Sequence, residues 1–331
     1  MHRTLTARHD RFLLSRPFRI SRGAKTAADV VTVTIAEGGS ENGIFGRGEG
    51  VPYPRYGESV DSVLAQVETV QQRWVDGASH AELIAAMPAG AARNAVDCAL
   101  WDLAAKRAGR SVAALLETPE PRRLATALTI GIDTPAAMGE AARAIAAAPL
   151  IKIKVNLDHP AAMVRAVRSA APDAALIVDP NESWTEEVLR AIMPVLEECR
   201  VAVLEQPVRA GEDEWLETYS SPIPICADEA IHTFAELEVV AARYDAVNVK
   251  LDKAGGLTGA LELAQAVRAR GLKMMSGCMV CSSLGIAPAL HIARLSDWVD
   301  LDGPLWLAED RDGGVRGEDG WLLPPAAGFW G

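Results

Sequence analysis

The chain has 331 residues, 49% of them apolar and 23% charged, with a formal net charge of -11. That length exceeds one ordinary small domain and suits a barrel of ~250 residues plus an extra module, and the apolar share supports a large core rather than disorder. The acidic balance argues against a nucleic-acid or membrane-surface role, so an anionic substrate has to be captured by a local positive site.

The opening MHRTLTARHDRF carries charges where a secretory segment needs an apolar run. No apolar stretch approaches the ~20 residues of a membrane span. Next, DVVTVTIAE (29–37) is β-branched and apolar, and GGSENG (38–43) supplies turn signals that make it one arm of a hairpin. Val60, Val63, Leu64 and Val67 follow an amphipathic helical period. Ser79 and Glu82 form a capping box for a second helix. The Ala-rich AARNAVDCALWDLAAKRAG predicts a third, stopping at Gly109.

From about residue 124 the pattern becomes alternation. Eight short apolar runs, at 124–132, 150–155, 175–181, 201–207, 224–229, 246–252, 272–278 and 297–303, are separated by Ala/Leu/Arg-rich stretches of helical period. Buried parallel strands alternating with helices predict an α/β fold, and eight units favour a closed (β/α) barrel over an open sheet. No G-x-G-x-x-G follows the first strand, which weakens a dinucleotide-binding reading. The organisation expected is an α+β domain over 1–120, a barrel over 121–304, and a Gly-, Pro- and Trp-rich tail over 305–331 that packs back on the first domain. The five cysteines (Cys98, Cys199, Cys226, Cys278 and Cys281) make no even framework, which fits a reducing cytoplasm. The C-x-x-C of Cys278 and Cys281 has no second pair and reads as buried barrel-wall thiols.

Chemistry gathers at the strand ends. Lys154, Asp179, Glu205, Asp228 and Lys250 close successive apolar runs, 25, 26, 23 and 22 residues apart, about one strand–helix repeat each. In a parallel barrel such positions face one mouth. Three unpaired carboxylates there would repel one another, and a bound cation removes that cost; an all-oxygen set points to Mg2+ rather than zinc. Lys152 and Lys154, two apart on one strand, share a face, and lysine inside a parallel strand is expensive unless it works. A neighbouring ammonium and partial desolvation both lower a lysine's pKa, as a general base requires. Lys250, past the acids, reaches the opposite side of a bound substrate.

KIK (152–154), VDPNESW (178–184), LEQP (204–207), ADE (227–229) and NVKLDKAGGL (248–257) resemble the enolase superfamily, in the subgroup of the muconate lactonising enzymes. The resemblance implies a modified TIM-type barrel under an N-terminal α+β capping domain. It implies one Mg2+ per subunit on Asp179, Glu205 and Asp228, with Lys154 and Lys250 as the acid/base pair. Lys152 would contact the substrate carboxylate. A Lys or His base with Mg2+ stabilising an enediolate is a general property of this superfamily. A narrower likeness spans nearly the whole chain: GRGEGVPYPRYGES (46–59), PAGAARNAVDCALWDLAAKR (88–107), GCMVCSS (277–283) and DLDGP (300–304) are similar to the dipeptide epimerases, especially those acting on L-Ala-D/L-Glu.

In that family Asp300 and Asp302 would hold the dipeptide's α-ammonium. The loop SRGAKT (21–26) would close over the site, with Arg22 and Lys25 as its cations and the glycines between 46 and 57, Tyr53 and Tyr56 forming a second lid. Glutamate-handling relatives often have arginine near position 25; lysine keeps the charge and loses the bidentate fork. Thr129 is expected to face the pocket, and Met279 and Ser282 either line it or pack. The implied reaction is a 1,1-proton transfer at the Cα of the C-terminal residue, with murein-peptide metabolism as its setting. Epimerisation of hydrophobic or cationic dipeptides stays open, as does a cycloisomerase or o-succinylbenzoate synthase, which has no use for an ammonium site. A metal hydrolase would want histidines at the metal, and His291 comes nearest to a strand end. A catalytically silent binding barrel would gain nothing from buried lysines. A small dipeptide is the expected partner, without nucleic acid or membrane, and a homo-oligomer is compatible with the chain.

Overall fold

The computed structural model describes residues 2–38 and 43–331. Three antiparallel strands, β1 (Arg3–Ile20), β2 (Gly23–Glu37) and β3 (Ile44–Gly50), form the first sheet in that order. Of the expected turn at 38–43, residues 39–42 lie outside the described residues. β1 carries no clear apolar alternation, since only Leu5 of its side chains is buried. The segment 21–26, expected as a loop, is the tip of the β1–β2 hairpin. The chain turns at Ser21–Arg22, and Phe18, Arg19 and Ile20 pair with Lys25, Ala24 and Gly23.

Helices α1 (Val60–Val75), α2 (His80–Ala85) and α3 (Ala91–Ala108) follow. Ser59 caps the first, Ser79 with Glu82 boxes the second, and Gly109, at φ 60, stops the third, where a left-handed residue releases the last turn. Val63, Val67, Val70 and Trp74 meet Val31, Val33 and Ile35 of the sheet in a separate apolar core. Gly46, Gly48 and Gly50 face α3 on alternate positions of β3. A Cβ on them would lie 2.1 Å from the carbonyl oxygens of Ala99, Ala95 and Ala91, one helical turn apart. These three glycines are therefore a packing surface for a helix, not part of the lid the sequence suggested.

A short helix α4 (Val112–Leu115) and a two-residue strand β4 (Leu124–Ala125) lead to eight parallel strands in chain order: β5 (Leu128–Ile130), β6 (Leu150–Lys154), β7 (Ala175–Asp179), β8 (Val201–Glu205), β9 (Ile225–Ala227), β10 (Ala246–Val249), β11 (Lys273–Gly277) and β12 (Trp298–Asp300). Ala127 N donates to Val299 O at 2.8 Å, joining the first stave to the last. Helices α5 (Pro135–Ala144), α6 (Pro160–Ala170), α7 (Glu186–Glu198), α8 (Leu237–Arg243), α9 (Leu251–Ala254), α10 (Leu257–Ala269) and α11 (Ser283–Ala293) cover the outside, while β8 and β9 are linked through a 3-10 turn at Glu214–Thr218. The predicted run 124–132 splits, because its first residues pair with the tail rather than the barrel: β13 (Arg316–Glu318) joins β14 (Trp321–Leu323), which joins β4. The end of the chain bonds the first domain. Trp330 Nε1 donates to Arg47 O (3.0 Å) and Cys98 O (3.2 Å), and Gly331 N to Asp102 Oδ1 (2.7 Å).

Inside the barrel Ala127, Leu150, Ile177, Val203, Cys226, Ala246 and Met275 form one apolar layer. Strand side chains alternate, so the residue two further on points inward again, one layer nearer the mouth. That step gives Lys152 on β6, Asp179 on β7, Glu205 on β8, Asp228 after β9 and Asn248 on β10. A second step gives Lys154 and Lys250. The fold thus converts a seven-residue plug into a polar ring directly above it. Among the described residues, no helix is long and apolar enough to cross a membrane.

Candidate active site

The ring is buried and dense with charge. Lys152 Nζ stands among three carboxylates, 2.7 Å from Glu205 Oε2, 2.7 Å from Asp300 Oδ2 and 3.1 Å from Asp179 Oδ2. Lys154 Nζ meets Asp179 Oδ2 at 2.6 Å, and Lys250 Nζ meets Asp228 Oδ2 at 2.6 Å. Lys154 leaves from β6 and Lys250 from the end of β10, four staves apart in an eight-stave barrel, so the two stand on opposite walls. Gly277 makes room for the latter: a Cβ there would come 2.8 Å from Lys250 Cε and 2.6 Å from Asn248 Oδ1.

Burial alone would depress the lysines, but Asp300, Glu205 and Asp179 hold Lys152 well above the ordinary lysine range, and Asp228 with Glu205 does the same for Lys250. The acids at the mouth act as counter-ions to both. The acids separate in turn. For Asp179 the penalty of burial is outweighed by Lys154 and Lys152, which bring it down to about 2. Glu205 is pushed up to about 7, by burial first and then by the charge of Asp179. Asp228 lies well below the usual range, since Lys250 and Lys253 outweigh its burial.

Among the described residues, no three His, Cys, Asp or Glu side chains close into a ready cage; ammonium groups stand between the acids instead. The donor set nonetheless fits a hard cation. Asp179, Glu205 and Asp228 offer only oxygen, and Glu205 Oε2, though 2.7 Å from Lys152 Nζ, is buried with no aligned hydrogen bond. A cation at that oxygen would offset the burial and the Asp179 charge that push Glu205 up.

Asp300 and Asp302 line the same pocket. Asp300 Oδ1 is buried without a partner. Asp302 Oδ2 accepts from Thr129 N (2.7 Å) and Trp306 Nε1 (3.2 Å), so Thr129 lines the pocket and also holds Asp302. Of the lid cations, Arg22 is committed to the protein: its Nη2 reaches Glu229 Oε1 (2.7 Å) and Tyr53 OH (3.0 Å), and its Nη1 reaches Asn181 O (3.1 Å). Lys25 lies 5.0 Å from the Tyr53 ring centre, lines the pocket and meets no carboxylate of the described residues. Tyr53, Tyr56 and Met279 line the pocket too. Ser282 instead caps α11 and takes Glu49 as its partner, and His291 is buried in α11 beside Trp330. All five cysteines are free, four of them buried and Cys278 half-buried at the pocket.

Sequence reasoning missed Lys253, Asn248 and Gln206. Lys253 Nζ lies 2.7 Å from Asp228 Oδ1, Asn248 Nδ2 donates to Glu205 Oε1 at 2.8 Å, and Gln206 Oε1 accepts from Asp228 N at 2.8 Å. All three lie inside the motifs KLDK, NVK and EQP, and their signal was adjacency to a ligand candidate.

A capped barrel with lysines on opposite walls and acids between them defines the class: a barrel enzyme of the enolase superfamily, built to move a proton at a carbon acid. Residues 2–117 match the mandelate racemase / muconate lactonizing enzyme N-terminal domain and residues 136–329 the enolase C-terminal domain-like family, and the chain belongs to this family. It is 45% identical over 322 residues (97% of this chain, 99% of the other) to an L-Ala-D/L-Glu epimerase of Escherichia coli K12. It is 42% identical over 304 residues (91% and 95%) to an N-acetyl-D-glutamate racemase of a Pseudoalteromonas species. A crystal structure of an enolase family member from Agrobacterium tumefaciens, with homology to dipeptide epimerases and with bound sodium and L-Ala-L-Glu, superposes at a TM-score of 0.96. It is 44% identical and covers 99% of this chain and 100% of that one.

Proposed function

We propose that the protein is an isomerase that epimerises dipeptides of the L-Ala-D/L-Glu type at the Cα of the C-terminal residue. The observation that carries this is the pair of lysines on opposite walls of one buried pocket, Lys154 with Asp179 and Lys250 with Asp228. A lyase or hydrolase needs one base; inversion at carbon needs a proton taken from one face and another given to the opposite face.

The substrate lies across the mouth with its terminal carboxylate toward Lys152, Asp179, Glu205 and Asp228. The cofactor is Mg2+, held by Asp179, Glu205 and Asp228; when bound it supplies positive charge to the carboxylate that acidifies Cα and takes over acids that otherwise serve the lysines. Lys152 adds a fixed ammonium beside the charge that develops on the enediolate. Whichever of Lys154 and Lys250 is neutral accepts the Cα proton, and the other, charged, delivers one to the opposite face. The reverse direction exchanges their roles. Asp300 and Asp302 take the α-ammonium. With Arg22 tied to Glu229, Lys25 is the cation left for the substrate's side-chain carboxylate.

The high identity to an L-Ala-D/L-Glu epimerase supports this substrate class. An N-acylated glutamate would present an amide rather than an ammonium to Asp300 and Asp302, giving the unpartnered Asp300 Oδ1 no charge to meet; a free amino terminus is the better match. Residues 1–120 serve as the cap, 121–304 as the catalytic barrel and 305–331 as a strap returning to the cap, in a protein that works in the cytoplasm.

Proton NMR in D2O tests it, with L-Ala-L-Glu, enzyme and Mg2+. Loss of the glutamate Cα–H signal together with growth of the L-Ala-D-Glu diastereomer is expected. Exchange of N-acetylglutamate but not of the dipeptide would transfer the assignment to N-acyl racemisation. No exchange of either would reopen the cycloisomerase reading.

A further inference from the structure

The cap reaches the mouth through two segments far apart in sequence, the hairpin tip around Ser21–Arg22 and the 3-10 turn Pro54–Tyr56. Both end on one carboxylate of the barrel. Arg55 holds Glu182 through two parallel bonds, Nε to Oε2 and Nη2 to Oε1, each 2.9 Å, and Arg22 Nη1 reaches the same Oε2 at 3.3 Å. Although Arg55 and Arg22 are partly exposed, the Glu182 side chain between them is only 7% exposed. A bidentate arginine–carboxylate pair of this kind is directional as well as strong.

The backbone under Glu182 is shaped for this. Asn181 and Glu182 stand at φ 48 and 65, two successive non-glycine residues in the left-handed region. Such a conformation persists only where surrounding bonds over-determine it. Glu182 N donates to Gln206 O (2.9 Å), Glu182 Oε1 accepts from Ala210 N (3.0 Å), and Asn181 O accepts from Ser21 Oγ (3.2 Å). Asn181 N donates to Asp179 Oδ1 at 2.8 Å. One side chain thus joins both lid segments to the loops that follow β7 and β8, the strands that end on Asp179 and Glu205.

We propose that Glu182 is a positioning residue that latches both lid segments shut at once and ties their closure to the loop orienting Asp179. It does not line the substrate pocket, so it acts through the fraction of molecules that are closed. A ligand that needs the closed form binds with an apparent affinity scaled by that fraction. Weakening the latch therefore raises KM and spares the proton-transfer step.

The test compares wild type with Glu182→Gln, Arg55→Ala and the double variant, by limited trypsin digestion of the free protein and by steady-state kinetics. Trypsin cuts after Arg22 and Lys25, inside the lid. With Glu182→Gln, cleavage there should rise about tenfold, and KM for L-Ala-L-Glu should rise about tenfold while kcat changes less than about threefold. The double variant should be no worse than Glu182→Gln, because both changes break one interaction. Unchanged lid cleavage, equal losses in kcat and kcat/KM, or strictly additive effects would each overturn the latch. If Glu182→Gln does not fold, Arg55→Ala carries the same two readouts. The kinetic arm rests on the epimerase reading. Should wild type fail to turn over the dipeptide, that reading falls, while digestion of the free protein still decides the latch.

Discussion

Lys154 and Lys250 leave opposite walls of one buried pocket and each has its own carboxylate, Asp179 for the first and Asp228 for the second, so the two can be tested one at a time. The alternation of strands placed Lys152, Lys154, Asp179, Glu205, Asp228 and Lys250 on inward positions, and the structure gathers them in one ring. Their pairing depends on which staves lie side by side and how each side chain leans, so only adjacency to a ligand candidate marked Lys253, Asn248 and Gln206, and Arg22 read as a substrate cation although Glu229 and Glu182 hold it. If Lys250 serves one face only, Lys250→Ala should lower epimerisation by ~10³ or more yet leave slower exchange of the Cα proton of one diastereomer through Lys154. Deuterium incorporation followed separately for L-Ala-L-Glu and L-Ala-D-Glu measures this, and symmetric loss of exchange would contradict the division of faces. Asp302 makes a second prediction. Burial and then the charge of Asp300 push it from 3.8 up to about 6. Because the shift is upward, the carboxylate is formed in the free enzyme above about pH 6 and takes a proton below it, losing its pull on the substrate ammonium. The kcat/KM for L-Ala-L-Glu should therefore fall as pH drops through 6, and Asp302→Asn should erase that limb. The same raised pKa favours the fold below the unfolded value of about 3.9 and loses that contribution as pH rises through 6.

At the level of elements, period and caps carried most of the reading. The capping box at Ser79 and Glu82 and the stop at Gly109 are real boundaries, because each rests on bonds local to its own segment, and one parallel strand lies within each of the eight apolar runs. The failures have a common cause as well. β1 is mostly exposed and has no alternating apolar face, so its strand state is imposed by pairing with β2. The run at 124–132 divides because Leu124 and Ala125 are claimed by a hairpin two hundred residues further on. The glycines of β3 were assigned to a lid because turn and lid glycines look the same in sequence as glycines that admit a helix. Their real constraint is steric. A Cβ at position 48 would sit 2.1 Å from Ala95 O and 2.6 Å from Ala99 N, both backbone atoms with little freedom to retreat. Gly48→Ala should cost about 3 kcal/mol or more, a large fraction of ordinary domain stability. Gly57→Ala, where nothing stands within 4 Å but φ is 77, should cost less, about 1 kcal/mol from backbone strain. Urea unfolding of the two variants checks the order, and equal losses would mean that β3 and α3 can move apart.

Cap and barrel form one working unit only if something holds the mouth closed against thermal opening, and beyond the lid itself the clearest tie is Arg311 in the tail. Its guanidinium reaches Asp10 Oδ2 (3.1 Å) on β1, Thr32 Oγ1 (2.7 Å) on β2 and Glu49 Oε2 (2.8 Å) on β3, while its Nε donates to Ser282 Oγ (2.7 Å) at the start of α11. Five segments meet at one side chain. None of this could be read from the sequence, because no period links residue 311 to residues 10, 32, 49 and 282. Glu49 has no access to solvent, and its burial raises its pKa even with Arg311 opposing. Removing Arg311 leaves that carboxylate buried and unpaired, which costs about 3–5 kcal/mol where it has been measured in comparable buried pairs. Arg311→Ala should therefore destabilise the protein by that order. Arg311→Ala with Glu49→Gln should be markedly less unstable than Arg311→Ala alone, since the second change removes the stranded charge. Denaturant midpoints with a constant slope measure both variants. An additive pair would mean that Glu49 is neutralised by other means and that Arg311 is only packing. If the rescue holds, lid closure and this tie can be separated: the rescued double variant should keep wild-type KM only if the cap is still seated on the barrel. A raised KM in a protein of restored stability would place Arg311 among the groups that set the cap's position over Lys154 and Lys250.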